Sequence, residues 1–212
     1  MSRFIVQLVS TMALCTFLSL PLHAQEPIAP TIQNMQGLVV VWNQHGFTPA
    51  EIGMKLQQGD EIRTGNGGKA YIDFPDNSRV KLGSRSRFII QQWEINDHIF
   101  SSTLRMLQGA FRYTAHQLIG SLHQRRTQFQ TRTVVLGVRG TDFWGRAEDE
   151  QTFFLLLEGK VTLSPYSQSP IPYDKAGYAV DIQTNHISEP RRLSMQEITP
   201  LAEETEITPA IP

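Results

Sequence analysis

Apolar and polar residues alternate with period two through most of this chain, and this limits the fold more than any other feature. Along an extended backbone, side chains two apart share a side. Ala70, Ile72 and Phe74 fall on one face while Lys69, Tyr71 and Asp73 fall on the other. After a turn at residues 74–78, Ser78, Val80 and Leu82 continue inward while Arg79 and Lys81 face water. Pro75 presets a turn dihedral and Asp76-Asn77 can bond their own backbone, so a hairpin is expected there. Further alternating runs lie at residues 87–91, 103–106, 127–131 and 155–163, and Glu158-Gly159 suits a tight two-residue hairpin. The expected fold is all-β, a solenoid-like or sandwich-like stack of short strands, with the stack preferred. At most one short helix fits, at residues 114–124, where Ala115, Leu118, Ile119 and Leu122 share a face. Gly120 weakens it by ~1 kcal/mol relative to alanine, leaving a helix or an ordered loop equally open.

The ends read differently from the middle. Residues 1–24 hold one basic residue, Arg3, an apolar run broken by Gln7, Ser10 and Thr11, and Ala24 before Gln25. That pattern reads as a secretory signal cleaved after Ala24, with an uncleaved inner-membrane anchor as the rival reading. Cys15, the sole cysteine, lies inside this run and is followed by further apolar residues, which disfavours lipidation. A mature chain would carry no disulfide or thiol chemistry. Residues 25–34 then form a linker, 35–183 the all-β domain and 184–212 an acidic tail. The tail holds Glu189, Glu197, Glu203, Glu204 and Glu206 along with Pro190, Pro200, Pro209 and Pro212. Without a sustained apolar period it reads as a flexible extension.

Net charge is −1, yet residues 101–147 carry Arg105, Arg112, Arg125, Arg126, Arg132, Arg139 and Arg146 against a single acid, Asp142. Guanidinium groups recognise carboxylates and phosphates bidentately. Arg112, Arg125, Arg126, Arg132 and Arg146 are therefore candidate contacts for an anionic or acidic partner, provided they share a face. The acidic tail could also cover the band intramolecularly. An exported chain of near-zero net charge is a poor match for nucleic acid. Trp42, Trp93 and Trp144 could stack on sugar rings, though core or rim packing is commoner for scattered tryptophans. Alternation places Trp42 opposite Val39 and Val41, hence outward.

Catalytic patterns are missing. No Gly-x-Ser-x-Gly elbow, His-Glu-x-x-His helix or paired-cysteine motif occurs. Residues 65–70 imitate a phosphate loop but lack its glycine spacing and its hydroxyl. His116 and His123 alone make a poor metal site. No cofactor, metal or catalytic residue is expected.

Several segments resemble, in order, the FecR-type periplasmic domain: 37–41, 56–65, 70–78 and 80–82, then Val138-Arg139-Gly140-Thr141-Asp142-Phe143 and the run 154–163. Arg132 stands where that family commonly has proline, and Asn77 where it has a turn glycine. The resemblance implies a non-enzymatic interaction or signal-relay module. It assigns mainly structural roles to Gly59, Asp60, Thr64, Gly65, Asp76, Arg139, Gly140, Thr141, Asp142, Phe143, Glu158 and Gly159. An Arg139–Asp142 pair is one structural reading of that motif, and presentation of Arg139 to an anion is the functional one. The best-known members add a cytoplasmic anti-sigma segment, a membrane helix and a receptor-docking domain, for which this chain has no room. The expectation is thus a periplasmic module with an envelope protein as partner and no direct sigma-factor contact. The alternative is an envelope-binding module that takes peptidoglycan or an anionic lipid or glycan on an arginine-rich face.

Overall fold

The computed structural model describes residues 28–208, and the expected signal and its cleavage point lie outside them. The first strands are β1 (Thr31–Gln36), β2 (Val39–Asn43), β3 (Gly46–Pro49), β4 (Glu61–Thr64), β5 (Lys69–Asp73), β6 (Ser78–Leu82) and β7 (Arg87–Asn96). A long β8 (Ile99–Ala115) follows, then β9 (Gln124–Gln130), β10 (Val134–Val138), β11 (Asp142–Ala147), β12 (Gln151–Glu158) and β13 (Val161–Pro165). The chain closes with β14 (Ile171–Tyr173), β15 (Tyr178–Gln183), β16 (His186–Ile187), β17 (Arg191–Arg192) and a helix, α1 (Met195–Thr205).

The strands form two sheets that share β8. Sheet A runs β1-β5-β6-β8-β11-β12-β15, with β16 and β17 on β15. Sheet B runs β3-β2-β4-β7-β8-β9-β10-β13-β14, antiparallel except for the β8–β9 pair. Both orders nearly follow the sequence, so the chain winds between two layers while advancing along one axis. The expected stack and sandwich are therefore two views of one object. β8 changes sheet at Gly109, whose φ is +101° and whose missing Cβ would sit 2.7 Å from the Ser86 Cα. A strand that switches sheets by a local bend makes a corner of this kind.

The inward residues of both layers meet in one core. Phe129 of sheet B stacks on Phe111 of sheet A at 4.6 Å, Phe143 meets Phe154 at 5.4 Å, and Phe154 meets Tyr173 at 5.9 Å. Each buried phenylalanine contributes roughly 1.5–3 kcal/mol. The expected β5–β6 hairpin forms, with the Phe74 N–H donating to the Ser78 carbonyl and Asn77 in the left-handed region at φ 63°. At residues 114–124 the chain leaves β8 and runs as a loop with a turn at Gly120-Ser121, without a helix.

Three expectations about the fold need correction, the first being the linker at 25–34, where β1 already begins at Thr31 and pairs with β5 because Ile32 is buried in the core. Glu158-Gly159 does not close a hairpin: β12 pairs with β11 and β15, whereas β13 pairs with β10 and β14, so the turn carries the chain from sheet A to sheet B. The inward residues of both strands reach the same core from opposite sides. The acidic tail, expected to be a flexible extension, carries β16, β17 and α1. Its Leu193, Ile198 and Leu201 pack on Leu155 and Ala179 of the outer side of sheet A, which explains why that segment acquires structure.

Candidate interaction face

The outer side of sheet A is sealed by the chain's own C-terminal segment. The Ser194 backbone N–H and hydroxyl both donate to Glu197 at 2.8 Å, which opens α1 with half of a capping box. Hydrogen bonds from Ser194 and then Arg191 hold the Glu197 carboxyl down at about 2. The last turn of α1 has no basic residue of its own, and sheet A supplies them. Lys69 Nζ donates to the Glu203 carbonyl at 2.7 Å and to the Glu206 carbonyl, satisfying orphan helix-end acceptors. Glu206 accepts from Lys81 at 2.6 and 2.8 Å and from the Tyr71 hydroxyl at 2.8 Å, with Arg112 3.4 Å away. Burial alone would raise the Glu206 carboxyl, but bonds from Lys81 and Tyr71 and the charges of Lys81 and Arg112 outweigh it and hold it below its ordinary value. Desolvation and the neighbouring Glu206 push the Tyr71 hydroxyl up to about 12. Arg146 pairs with Glu204 and lies 5.4 Å over Trp144, which is itself buried on this side against Phe153.

This geometry divides the arginine band. Arg112 binds Asp142 through two bonds of 2.6 and 2.9 Å, so Asp142 pairs across strands and not with Arg139 as the motif suggested. Arg112 and Arg146 thus sit under the tail, as the intramolecular cover required. Arg125 is buried and committed to the equally buried Asp76 carboxylate, the Asp76 carbonyl and the His116 carbonyl. It is a structural cation and is withdrawn from partners. Arg132 is exposed beside Asp149 at 3.4 Å. The band therefore does not form one face.

Most motif residues shape the chain. Asp60 accepts from the Gln57 N–H at 2.7 Å and the Asn43 amide at 3.1 Å, and the Gly59 N–H donates to Ile90. Thr64 Oγ1 bridges the Gly83 carbonyl and the Ser86 N–H, while the Gly65 N–H donates to Leu38. Residues 139–142 cross from sheet B to sheet A, and residues 158–160 cross back beside them. Thr141 and Phe143 turn into the interior there, with Glu158 opposite Asp142. A Cβ on Gly159 would lie 2.6 Å from the Gly140 carbonyl oxygen, so the two crossings stack only because this residue has no side chain. Gly140 itself faces open space.

The outer side of sheet B has no cover among the described residues. Its register builds two parallel rows across six strands. One row sets Gln92 by Thr103, Thr103 by Gln128, Gln128 by Gly137, Gly137 by Thr162 and Thr162 by Pro172. The neighbouring row sets Glu94 by Ser101 and Ser101 by Arg126, and is continued by Arg139, Lys160 and Asp174, each one residue past an end of β10, β13 or β14. These residues line a groove of ≈ 1080 Å³. Arg126 and Arg139 are exposed, and Arg139 has no hydrogen-bond or ion-pair partner among the described residues. Lys160 and Asp174 stand 3.7 Å apart in solvent. At the far edge of the same face, Trp42 and Phe47 are exposed with rings 6.1 Å apart and Arg63 4.7 Å over Trp42.

Lys160 was absent from the sequence candidates, as were Gln92, Thr103, Gln128 and Thr162. Period two marks each as outward, but only strand register brings them together. Among the described residues no group of three or more His, Cys, Asp or Glu is placed to hold a metal, and His123 lies 5.3 Å from His98 instead of pairing with His116. No helix among them is long and apolar enough to cross a membrane.

The fold and its stacked crossings define a non-barrel, wound β scaffold with one sealed and one open face. Residues 60–162, which include both crossings, match the family model described as FecR protein, and this part of the chain is a FecR domain. Two solved structures of a putative anti-sigma factor from Parabacteroides distasonis, at 1.65 and 2.50 Å resolution, share this fold. Each is 19% identical with a TM-score of 0.52, and the match covers 66% of this chain and 62% of that one. The chain thus spans less than two thirds of the length of those proteins. No curated protein matches it.

Proposed function

We propose that the chain is exported to the periplasm by residues 1–24 and acts there as a non-enzymatic interaction module that relays signals through an envelope protein. The observation that carries this reading is the asymmetry of the sandwich: its own tail neutralises the cations of one face, while the other keeps free cations in a polar groove. The FecR-domain match and the fold shared with a putative anti-sigma factor support a place in signalling. In this reading contact with a sigma factor is indirect. A photo-crosslinking residue at Gln128, on the open face, is expected to trap an envelope protein in native cells, whereas one at Ile198 is expected to link only within the chain. Crosslinks from neither position would defeat the proposal. Export is checked by N-terminal analysis, expected to begin at Gln25.

A second reading, binding of peptidoglycan or an anionic envelope lipid or glycan, is favoured by the row of Arg126, Arg139 and Lys160. In that case Arg139→Glu is expected to abolish salt-sensitive retention on envelope fractions.

A further inference from the structure

We propose that the open groove of sheet B binds an otherwise neutral oligosaccharide carrying one anionic group, a carboxylate or a phosphate, seated on Arg126 and Arg139. This deepens the second reading above and rests on it. Arg126 on β9 and Arg139, one residue past the end of β10, lie on neighbouring chain segments about 4.8 Å apart, a spacing two long side chains can span to reach one anion. Arginine offers a planar fork of donors matched to carboxylate and phosphate oxygens.

The rest of the groove limits the charge of its occupant. Lys160 already has Asp174 at 3.7 Å, which leaves the two arginines as the uncompensated cations. Glu94 stands two strands beyond Arg126 on the other side, about 10 Å away by strand spacing. At physiological salt the Debye length is about 8 Å, so Glu94 is largely screened from an anion on the arginines but repels further negative charges laid along the row toward it. One anionic group seated on the two arginines stays clear of that approach.

The second row specifies what surrounds that group. Gln92, Thr103, Gln128 and Thr162 present amides and hydroxyls, which donate and accept as sugar hydroxyls require. Gly137 lies in the middle of this row and keeps the floor low. The volume of ≈ 1080 Å³ exceeds that of a pocket for one small molecule. A protein hot spot would need a central aromatic or aliphatic anchor, yet the exposed Trp42 and Phe47 lie at the distant edge of the sheet.

The test uses the full chain on a panel of immobilised probes: chitotetraose, the same tetrasaccharide with one carboxylate or one phosphate, a heparin tetrasaccharide and a glutamate-rich decapeptide. The singly charged tetrasaccharides are expected to bind about tenfold or more tighter than every other probe. An advantage of carboxylate over phosphate, or the reverse, assigns the anion. Arg126→Gln combined with Arg139→Gln is expected to remove that advantage. Gly137→Gln is expected to block binding with all charges intact, because a Cβ there meets nothing closer than 3.6 Å and the longer side chain fills the floor. Should the arginine variant fail to fold, the wild-type ranking and Gly137→Gln still decide. Strongest binding by heparin or the peptide, no binding of any singly charged sugar, or binding unmoved by Gly137→Gln would each overturn the inference. Envelope retention without selectivity on the panel would sink it while leaving the second reading standing.

Discussion

Both outer surfaces of this sandwich carry cations but use them in opposite ways. On sheet A, Lys69, Lys81, Arg112 and Arg146 are spent on Glu203, Glu204 and Glu206 of the same chain. On sheet B, Arg126 and Arg139 remain exposed in a groove of hydroxyls and amides. The difference teaches that cation content says little about an interaction surface. What matters is whether the chain also supplies the matching acids.

The largest effect should come from the interior that both surfaces share. Arg125→Met leaves Asp76 charged and buried, and is expected to cost roughly 3–5 kcal/mol in denaturant unfolding. A loss below about 1 kcal/mol would mean that this pair is dispensable to the frame. Next, Leu155→Ala on the sealed side should cost about 2–5 kcal/mol, as for a core leucine, because α1 buries it completely. If it behaves like an exposed position, the cover is not held down.

Acid should loosen the sealed side selectively. The Glu197 and Glu206 carboxyls are both held below their ordinary value of 4.5, so their contribution is present above that value and is lost as pH falls through their folded values, about 2 for Glu197. With Trp42 and Trp93 replaced by phenylalanine, Trp144 fluorescence is expected to shift in that window before the sheets unfold. A signal that stays flat until global unfolding would show cover and sheet to be one cooperative unit. Glu206→Gln should mimic the change at neutral pH, at about 1 kcal/mol or less given its partial exposure. Smallest of all, Thr162→Ala on the open side should stay within about 0.5 kcal/mol of wild type. A larger loss there would mean that the groove supports the fold.

Alternation made the strands legible: Ala70, Ile72, Val80 and Leu82 point inward as their spacing required. It also hid the cover. The unbroken run Phe153-Phe154-Leu155-Leu156-Leu157 is the pattern of a strand buried on both faces, and Ser194-x-x-Glu197 before Ile198 and Leu201 is a helix start. Pro200 argued against a helix, yet α1 contains it. Gly159 was legible as a turn, but its direction depends on which sheet β13 joins. The groove was least legible, because Arg126, Arg139 and Lys160 are neighbours only through the β9–β10 and β10–β13 register, which residue spacing along the chain does not encode.

The tail's grip on sheet A also sets an order of events. Glu206 lies 135 residues beyond Tyr71 and 125 beyond Lys81, so those side chains emerge from the ribosome long before their partner exists. At a synthesis rate of roughly 5–20 residues per second, the interval is on the order of ten seconds, far longer than local hairpin closure. In its last part, after Leu155 has emerged and before α1 follows, the apolar strip around Leu155 lacks its lid. A nascent chain therefore presents a sticky surface that the finished one does not, a brief opening for chaperones that ends when α1 arrives.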